Sequence, residues 1–323
     1  MKLYFAPLEG ITGHLYRNTF HEFFGKEIDK YFSPFIVPTQ GTSVKSRTIR
    51  DILPENNEGI PLVPQILSNN AESFIALSEY LSELGYDEVN LNLGCPYGTV
   101  VAKGRGSGML EDTRKLDQFL DEIFEGCEGK IGISVKTRIG LDSENEWEDL
   151  LTVYNQYPVK ELIIHPRIQK DFYRNHPRME AYDLACKESR NPICYNGDIF
   201  TKKDYLSFCE RYPDTDRIMI GRGFLTNPGL LLEIRGGKGM TKDEFHGFHD
   251  RLYEEYRKLM GEDKNTLFKM KEFWNYAQYL FDGQISQKYI KKIRKAKRGV
   301  EYETAVEELL QECDIREGAG FEG

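Results

Sequence analysis

Long apolar runs, paired cysteines and excess positive charge are all missing from this sequence. Its 323 residues contain no stretch near the roughly 18 consecutive apolar residues that a membrane-spanning helix needs. The cysteines, at positions 95, 127, 186, 194, 209 and 313, form no CxxC pair, which argues against a zinc site and a disulfide framework. The first residues, MKLYFAPLEG, reach proline and glycine too early for a signal peptide. We therefore expect a cytoplasmic, monomeric protein with reduced thiols, no bound metal and no membrane partner.

Positive charge is concentrated in one segment. Lys and Arg number 43 against 52 Asp and Glu, a net charge of −9, which argues against attraction of nucleic acid by the whole surface. Residues 286–298, SQKYIKKIRKAKR, have seven basic side chains and no acidic one. On a helix, four of them fall along one face and predict a local polyanion-binding surface. These are Lys288, Lys291, Lys292 and Lys295. Acidic residues from Glu301 onward leave open a solvated basic helix paired with an acidic neighbour.

Short apolar runs recur at even spacing, with helical periodicity between most of them. They are LYFAP (3–7), YFSPFIV (31–37), LVPQIL (62–67), EVNLNLG (88–94), GISVKTR (132–138), ELIIHP (161–166), PICYNGD (192–198) and RIMIGRG (217–223). Alternating strands and helices predict parallel pairing, and the eight units fit an α/β fold of the (β/α)8 TIM-barrel type. A doubly wound open sheet is the alternative. Polar or turn-forming residues follow nearly every run, including Thr39 and Gln40 after the second, and their convergence on one mouth favours the barrel.

After Gly239 the pattern changes to helices without strands. Thr241 and Glu244 have the spacing of a capping box that begins the first of these helices. We predict a catalytic barrel domain over residues 1–239 and a small C-terminal helical bundle domain over 240–323. The Gly- and Glu-rich tail after Ile315 is expected to be frayed.

Two groups at the strand ends suggest chemistry. Cys95 follows the fourth run and precedes a glycine-rich turn; as a lone cysteine it could be an acid, a nucleophile, a ligand or a small buried residue. Small residues follow the last two runs, where barrels commonly bind phosphate through backbone N–H groups. The two turns are Asn196-Gly197-Asp198 and Gly221-Arg222-Gly223. Arg222 could add a charged fork to such a phosphate site.

Several segments match one family in its own order. They are APLEGIT (6–12), Gln65, LNLGCP (91–96) with the glycine turn to Leu110, SVKTRIG (134–140), IHPR (164–167) with Tyr173, YNGDI (195–199), IGRG (220–223) and MKEFWNY (270–276). Together they resemble the flavin-dependent tRNA-dihydrouridine synthases. The resemblance implies an FMN-binding barrel with a helical tRNA-binding domain. The reaction it implies is reduction of the C5–C6 double bond of specific tRNA uridines to 5,6-dihydrouridine, with NADPH or NADH as the reductant.

The resemblance also assigns residues. It makes Cys95 the acid and places Asn92 near the target uracil. The flavin is surrounded by Pro7, Leu8, Thr12, Gln65, Lys136 and His165. Its ribityl-phosphate end lies at Asn196, Gly197, Asp198, Gly221, Arg222 and Gly223. Two interpretations stay open for Arg138, Arg167 and Tyr173. They bind the target nucleotide after it has flipped out of its base stack, or they form a solvated rim.

The assigned residue types suit this chemistry. The uracil that receives hydride at C6 also needs a proton, and a thiol with a pKa of about 8.5 can supply one at a pH where a carboxylic acid of pKa about 4 is mostly ionised. Lys136 would place a cation near the N1/O2 edge, where reduction adds charge to the flavin. Two alternatives stay open: an FMN-dependent reductase of a free pyrimidine or an enone, and an RNA-binding protein without chemistry.

A few positions depart from the usual family pattern. Leu8 replaces a Met, Ser107 replaces an Ala, and Gly98 replaces a basic residue. Pro166 and Ile168 change the HGRT run to HPRI. Because proline lacks the N–H donor and fixes φ, Pro166 leaves the backbone path of the sixth loop open.

Overall fold

The computed structural model describes residues 1–38 and 46–322. Thr39 and Gln40, predicted at the end of the second strand, lie outside the described residues. The chain forms two compact units. The first comprises Met1–Pro7, Asp29–Gly197 and Asp214–Met219, and the second comprises Leu8–Ile28, Asp198–Pro213 and Ile220–Gly323. The predicted boundary between residues 239 and 240 falls inside the second unit, and the division into two domains there stays a prediction.

The strands form one parallel sheet. They are β1 (Lys2–Phe5), β2 (Lys30–Phe32), β3 (Leu62–Val63), β4 (Gln65–Ile66), β5 (Glu88–Leu93), β6 (Gly132–Arg138), β7 (Leu162–His165), β8 (Ile193–Tyr195) and β9 (Arg217–Ile220). Their order in the sheet is β3-β2-β1-β9-β8-β7-β6-β5-β4. Each strand pairs in parallel with its neighbour.

Pro64 divides the third predicted strand in two and thereby sets how the sheet closes. β3 pairs with β2 through Val63, and β4 pairs with β5 through Gln65. Proline has no N–H to donate to a ladder, so the two short strands share one stretch of chain but face different neighbours. Because the two edges of the sheet lie on either side of this single residue, the sheet is a nearly closed barrel. The predicted TIM-barrel fold class is confirmed, with nine strands from eight predicted runs.

The helices among the described residues alternate with the strands and then follow one another without strands. They are α1 (His14–Phe23), α2 (Ser46–Ile52), α3 (Ala71–Glu83), α4 (Gly98–Val101), α5 (Thr113–Cys127), α6 (Trp147–Tyr154), α7 (Met179–Glu188), α8 (Lys202–Arg211), α9 (Arg222–Thr226), α10 (Leu230–Ile234), α11 (Lys242–Met260), α12 (Asp263–Ala277), α13 (Gly283–Lys295) and α14 (Gly299–Glu312). Short 3₁₀ helices span Pro54–Asn56, Gly106–Glu111, Glu144–Glu146, Gln169–Asp171 and Gln278–Leu280. None of the helices in the described part of the chain is long and apolar enough to cross a membrane.

Local sequence signals explain where helices begin and end. The Thr241 hydroxyl accepts the N–H of Glu244 at 3.2 Å, and the Glu244 carboxylate accepts the N–H of Thr241 at 2.7 Å. This is the predicted capping box at the start of α11. α11 ends at Met260 and is capped by Gly261, whose φ of +68° is the left-handed conformation that glycine adopts without strain.

Alternation along β5 and β6 brings polar side chains together. Successive strand residues point to opposite faces, so Asn90 and Asn92 share one face of β5. The register pairs Asn90 with Ser134 and Asn92 with Lys136 on β6. β6 then continues to Arg138, which pairs in register with His165 at the end of β7. The carboxyl ends of these strands therefore gather the residues of the candidate site.

Residues 316–322 are packed, so the prediction of a frayed tail was wrong for them. Ile315 forms an antiparallel bridge with Phe281, and the N–H of Arg316 donates to the Leu280 carbonyl at 2.8 Å. Ala319 is only 1% exposed. The composition suggested fraying because glycine and glutamate are common there, but backbone hydrogen bonds and an aromatic contact of Phe321 with Tyr279 hold the segment.

Candidate active site

Cys95 lies in a loop whose backbone is fixed on both sides. Its N–H donates to Asn92 Oδ1 at 2.9 Å. Its carbonyl accepts the Ser107 N–H at 3.1 Å and the Ser107 hydroxyl at 2.8 Å. Gly106 has a φ of +56°, and a Cβ there would lie 2.8 Å from the Cys95 carbonyl oxygen. The glycine turn is therefore needed for a close approach, and Ser107, one of the departures from the family pattern, adds a hydrogen bond to the loop.

A chain of buried side-chain hydrogen bonds orients Asn92. Asn92 Nδ2 donates to Gln65 Oε1 at 2.7 Å, and Gln65 Nε2 donates to Asn90 Oδ1 at 2.8 Å. Asn90 Nδ2 in turn donates to Ser134 Oγ at 2.9 Å. Because each amide in this amide chain uses its donor on one neighbour and its acceptor on the next, the orientation of all three is fixed.

The sequence reasoning missed Asn90 of the amide chain and Ser134, whose hydroxyl accepts a hydrogen bond from Asn90. The signal was present in β5, where polar residues alternate with Val89, Leu91 and Leu93. Such alternation in a strand buried throughout indicates an interior polar face. The assignments of Gln65 to the flavin and of Asn92 to the uracil stay predictions; the structure gives both residues a place in the support of Cys95.

Lys136 is a half-buried cation that has no acidic partner in the described part of the chain. Among the described residues, no carboxylate lies within salt-bridge distance of its Nζ. The strand register places Lys136 beside Asn92 of β5. Burial, followed by the positive charge of Arg138, lowers its pKa to about 8. A lysine in these surroundings would gain from an anionic ligand.

Arg138 joins the Cys95 loop to the loop after β7. Its Nε donates to the Gly94 carbonyl at 2.9 Å, and its Nη1 and Nη2 donate to the carbonyls of Ile168 at 2.9 Å and Phe172 at 2.7 Å. Phe172 has a φ of +52°, rare for a residue other than glycine. Burial lowers the pKa of Arg138 to about 10. Arg138 is 1% exposed, so the alternative of a solvated rim is wrong for it.

Arg167 is equally buried and determines the tautomer of His165. Arg167 is 1% exposed, and its Nη2 donates to the Asn175 carbonyl at 2.6 Å. Its Nη1 lies 3.1 Å from His165 Nε2. An arginine can only donate, so Nε2 is the acceptor and the ring proton is on Nδ1. The solvated-rim alternative is therefore wrong for Arg167 also.

Exposed aromatic rings lie beside these buried arginines. Tyr173 is 44% exposed, with its ring centroid 6.2 Å from that of His165 and 5.7 Å from Arg138 Cζ. Tyr97 and Phe172 form an edge contact with centroids 6.4 Å apart. Among the residues predicted at the mouth, Tyr173 is the one available to solvent. Binding of the flipped nucleotide by Arg138, Arg167 and Tyr173 stays a prediction.

Pro166 does not disturb the loop after β7. The strand ends at His165, so the missing N–H of Pro166 is not needed for the ladder. The Pro166 carbonyl accepts the N–H of Arg178 at 2.7 Å. The side chain of Arg178 also forms an ion pair with Asp171, and Asp171 accepts the N–H of Ile168 at 3.0 Å. This network defines the loop path that the sequence left open.

The predicted phosphate residues occur in both units. In the first unit, Asn196 Nδ2 donates to the Met219 carbonyl at 2.9 Å, and a Cβ on Gly197 would lie 1.9 Å from the Tyr195 hydroxyl. In the second unit, Arg222 Nη2 lies 2.7 Å from Asp198 Oδ1. Gly221 directly precedes α9, and a Cβ on Gly223 would lie 2.3 Å from the Ile199 carbonyl.

The predicted first-loop residues make a local turn. Pro7 ends the first segment of the first unit, and Leu8 begins the second unit. The Leu8 N–H donates to Thr12 Oγ1 at 2.8 Å, and the Thr12 N–H donates back to the Leu8 carbonyl at 3.1 Å. The turn uses the Thr12 side chain internally. Its role toward a flavin stays a prediction.

The predicted basic face is exposed on α13. Lys288, Lys291, Lys292 and Lys295 are all exposed, whereas Tyr289, Ile290 and Ile293 are buried. Lys292 forms an ion pair with Glu308 of α14, so the acidic-neighbour alternative holds for this lysine. Lys291 and Lys295 have no ion-pair partner among the described residues. RNA binding by this face stays a prediction.

Comparison with known proteins identifies the family. Residues 4–314 match the family described as Dihydrouridine synthase (Dus). A probable tRNA-dihydrouridine synthase of Staphylococcus aureus (strain Mu50) is 30% identical over 262 residues, which cover 78% of this chain and 77% of that protein. The chain belongs to the dihydrouridine synthase family. The predicted family and the prediction of an oxidoreductase are therefore confirmed.

Other relatives support the same assignment. Probable tRNA-dihydrouridine synthase 2 of Bacillus subtilis (strain 168) is 27% identical over 263 residues, covering 78% of each chain. Among solved structures, morphinone reductase in complex with tetrahydroNAD has a TM-score of 0.52 at 10% identity, over 74% of this chain and 88% of that one. A 2-naphthoyl-CoA reductase complex has a TM-score of 0.56 at 10% identity, over 73% of this chain and 50% of that one. These likenesses show that this dihydrouridine synthase family member has the barrel fold of those enzymes.

Proposed function

We propose that the protein is a tRNA-dihydrouridine synthase that reduces the C5–C6 double bond of specific tRNA uridines with FMN, itself reduced by NADPH or NADH. Its relatives are named as tRNA-dihydrouridine synthases, and one observation supports the same activity here. A cysteine at a strand's carboxyl end is held by hydrogen bonds on both sides of its peptide unit, in the same sheet as Lys136 and His165. Such rigidity is what a positioned proton donor requires.

Lys136 supports a flavin as the cofactor. Reduction adds negative charge to the N1/O2 edge of a flavin, and a cation there favours the reduced form. A half-buried lysine with a lowered pKa and no acidic partner in the described residues fits that requirement. Gln65, an amide in the same buried chain, and His165, with its proton on Nδ1, supply hydrogen-bonding groups of the kind a flavin ring accepts. The family resemblance assigns the phosphate end to Arg222 and its neighbours.

Cys95 gives its thiol proton to uracil C5. A bound reduced flavin would supply a hydride to uracil C6, and the electron pair of the C5–C6 π bond would then take the thiol proton of Cys95 at C5. The thiolate left on Cys95 regains a proton from solvent, which completes the balance. The target base must leave its stack to react, and the exposed ring of Tyr173 is suited to contact it.

The role of Cys95 is tested by Cys95→Ala. We expect dihydrouridine formation in tRNA, measured by mass spectrometry, to fall by about 10²- to 10⁴-fold, the usual contribution of a positioned acid. FMN binding and flavin reduction by NADPH, followed by absorbance, should stay at wild-type levels. Cys186→Ala is the matched control, because Cys186 is an exposed free thiol. Wild-type tRNA reduction by Cys95→Ala would make Cys95 a packing residue.

RNA binding is tested on α13. Charge reversal of Lys291 and Lys295 should weaken tRNA binding and lower the slope of log K against log salt by about 0.7–0.9 for each phosphate that the protein no longer neutralises. The matched control reverses Lys187 and Lys238, which are exposed lysines outside α13. If both double variants weaken tRNA binding equally, the effect comes from the net charge of the protein and the α13 face is not a specific RNA-binding surface. Turnover of free uridine at the rate of tRNA would favour the alternative of a free-pyrimidine reductase.

A further inference from the structure

The segment Asp314–Glu322 is anchored to its own unit by backbone pairing and by the side chain of Arg316. Besides the bridge between Ile315 and Phe281, Arg316 Nη2 donates to the Tyr279 carbonyl at 3.2 Å. Arg316 also pairs with Glu322 at 2.5 Å. Gly318 has a φ of +64°, so the segment turns where only glycine is unstrained. The chain is thereby directed to a defined end point at Phe321.

Phe321 lies against Arg222, the arginine assigned to the phosphate. The Arg222 Cζ is 4.8 Å from the Phe321 ring centroid and 5.0 Å from that of Phe200. The two rings also contact each other, with centroids 5.5 Å apart. Arg222 Nη2 reaches Asp198 Oδ1 at 2.7 Å, and the arginine side chain is only 11% exposed. The guanidinium therefore has aromatic rings and a carboxylate as its surroundings.

The approach of the segment to Phe200 is close. A Cβ on Gly320 would lie 2.7 Å from Thr201 Cγ2 and 3.2 Å from the Phe200 carbonyl oxygen. A larger residue at position 320 would have to displace the segment or its neighbour, and the backbone oxygen cannot move freely. Gly320 is thus required for the position of Phe321.

We propose that Phe321 is a positioning residue that holds the Arg222 guanidinium in place for the phosphate of FMN, an inference that rests on the proposed function. Stacking on aromatic rings uses the faces of a guanidinium, whereas phosphate and carboxylate bind at its edges. An arginine side chain loses considerable rotamer freedom when it is fixed. Here that ordering precedes ligand binding, so the phosphate gains affinity through preorganisation.

A purely structural role for Phe321 makes a different prediction. Its ring also contacts Tyr276 and Tyr279, with centroid distances of 5.8 Å and 5.2 Å. If Phe321 served only to pack the segment, its loss would lower stability and affect any flavin equally. If it acts through Arg222, its loss would affect only a flavin that has a phosphate. Riboflavin, which lacks the phosphate, separates these two roles.

The experiment titrates the apoprotein with FMN and with riboflavin by flavin fluorescence. Phe321→Ala should raise the Kd for FMN by about 2- to 30-fold, the value of a cation–π contact, and leave the Kd for riboflavin unchanged. Phe321→Tyr, which keeps the aromatic ring, should bind FMN as the wild type does. Phe268→Ala is the matched control, because Phe268 is 61% exposed. In an Arg222→Ala background, Phe321→Ala should have no further effect.

The outcomes distinguish this inference from the proposed function. If Phe321→Ala weakens the binding of FMN and of riboflavin equally, or weakens neither, Phe321 has no positioning role. The proposed function still holds in that case, provided that the wild type binds FMN more tightly than riboflavin. A wild-type protein that binds neither flavin overturns both. Thermal melting of each apoprotein checks folding. Should Phe321→Ala melt at a lower temperature, Phe321→Leu retains the packing volume without the aromatic face and must show the same selective loss of FMN.

Discussion

At the amino-terminal ends of the barrel strands, two buried carboxylates are surrounded by cations, whereas at the carboxyl-terminal ends Lys136 has no carboxylate partner in the described residues. Glu88 lies 2.8 Å from Lys30 Nζ and 3.3 Å from Lys160 Nζ. Glu161 lies 3.2 Å from Lys30 Nζ and 3.7 Å from Arg217 Nε. At the opposite end, Lys136 has a lowered pKa, and Arg138 donates to backbone carbonyls.

The difference separates stability from function within one barrel. Charges that are buried with partners satisfy one another, and removing one partner is costly because it leaves the other uncompensated. A buried cation without a partner costs stability in the free protein and gains from an anionic ligand. β5 contains both patterns, with Glu88 at its first residue and Asn92 near its end. The ion pairs at the amino-terminal end therefore support the fold, and Lys136 at the carboxyl-terminal end is the cation for which we propose an anionic ligand.

The largest effect is expected from Glu161→Leu at the amino-terminal end. This change leaves the nearby cations Lys30 and Arg217 without that carboxylate and removes the acceptor of the Tyr4 hydroxyl, now at 2.7 Å. We expect the free energy of unfolding to fall by about 3–5 kcal/mol, measured by urea denaturation of the apoprotein. Glu161→Gln keeps an acceptor for Tyr4 and should cost less. Equal stability of Glu161→Leu and wild type would show that this buried carboxylate does not stabilise the fold.

The second prediction concerns Arg138→Met at the carboxyl-terminal end. Loss of its three hydrogen bonds leaves the carbonyls of Gly94, Ile168 and Phe172 without this donor, which should cost about 1–3 kcal/mol of stability. Because Gly94 adjoins Cys95, we also expect kcat for tRNA reduction to fall by about 10- to 100-fold through misplacement of the thiol. Lys170→Met, at an exposed position in the loop after β7, is the control. A stability loss with unchanged kcat would make Arg138 a structural residue only.

The third prediction is a gain of stability in Lys136→Met. At pH 7 the variant no longer buries a cation, and the apoprotein should be more stable by on the order of 1–2 kcal/mol. The wild-type lysine has a pKa of about 8 when folded and 10.5 ordinarily. Between these two pKa values, Lys136 is protonated more often in the unfolded chain than in the folded protein. Its contribution to the free energy of unfolding of the wild type therefore becomes less unfavourable as the pH rises, and the stability difference between the variant and the wild type narrows. Urea denaturation at pH 7 and pH 9.5 measures this narrowing.

The same variant has the opposite effect on the ligand. Under the proposed function, Lys136→Met should bind FMN more weakly and shift its reduction potential to a more negative value, because the variant loses the cation that we propose at the N1/O2 edge of the flavin. The potential is measured by reductive titration against a dye of known potential. A variant that is less stable than wild type at pH 7 and keeps the wild-type potential would contradict both halves of the prediction.

Sequence reasoning predicted the strand ends and the Cys95 loop better than the contacts that support them. The strand ends and the Cys95 loop were predictable because hydrophobic runs and glycine turns are local signals. The contacts of Arg138 and Arg167 were not, since most of their partners are carbonyls in the loop after β7, whose path depends on Asp171 and Arg178. The packing of Phe321 was not predicted, because the glycine and glutamate residues around it are typical of a frayed tail. Contacts between distant residues leave no local periodicity to read.

The smallest effect is expected from Lys160→Met, at the margin of the paired region. Lys160 is 38% exposed and lies 3.3 Å from both Asp87 and Glu88. Glu88 keeps its shorter contact with Lys30 after the change, and pairs open to solvent contribute little because water screens them. We expect the free energy of unfolding to change by less than about 1 kcal/mol, measured by urea denaturation. Removal of Lys30 instead, by Lys30→Met, should cost several times more, since it leaves Glu161 as well as Glu88 with one cation fewer in a buried position. If Lys160→Met and Lys30→Met were destabilised equally, solvent exposure would not determine how much each ion pair contributes to stability at this end of the barrel. The total charge of the cluster would then determine it.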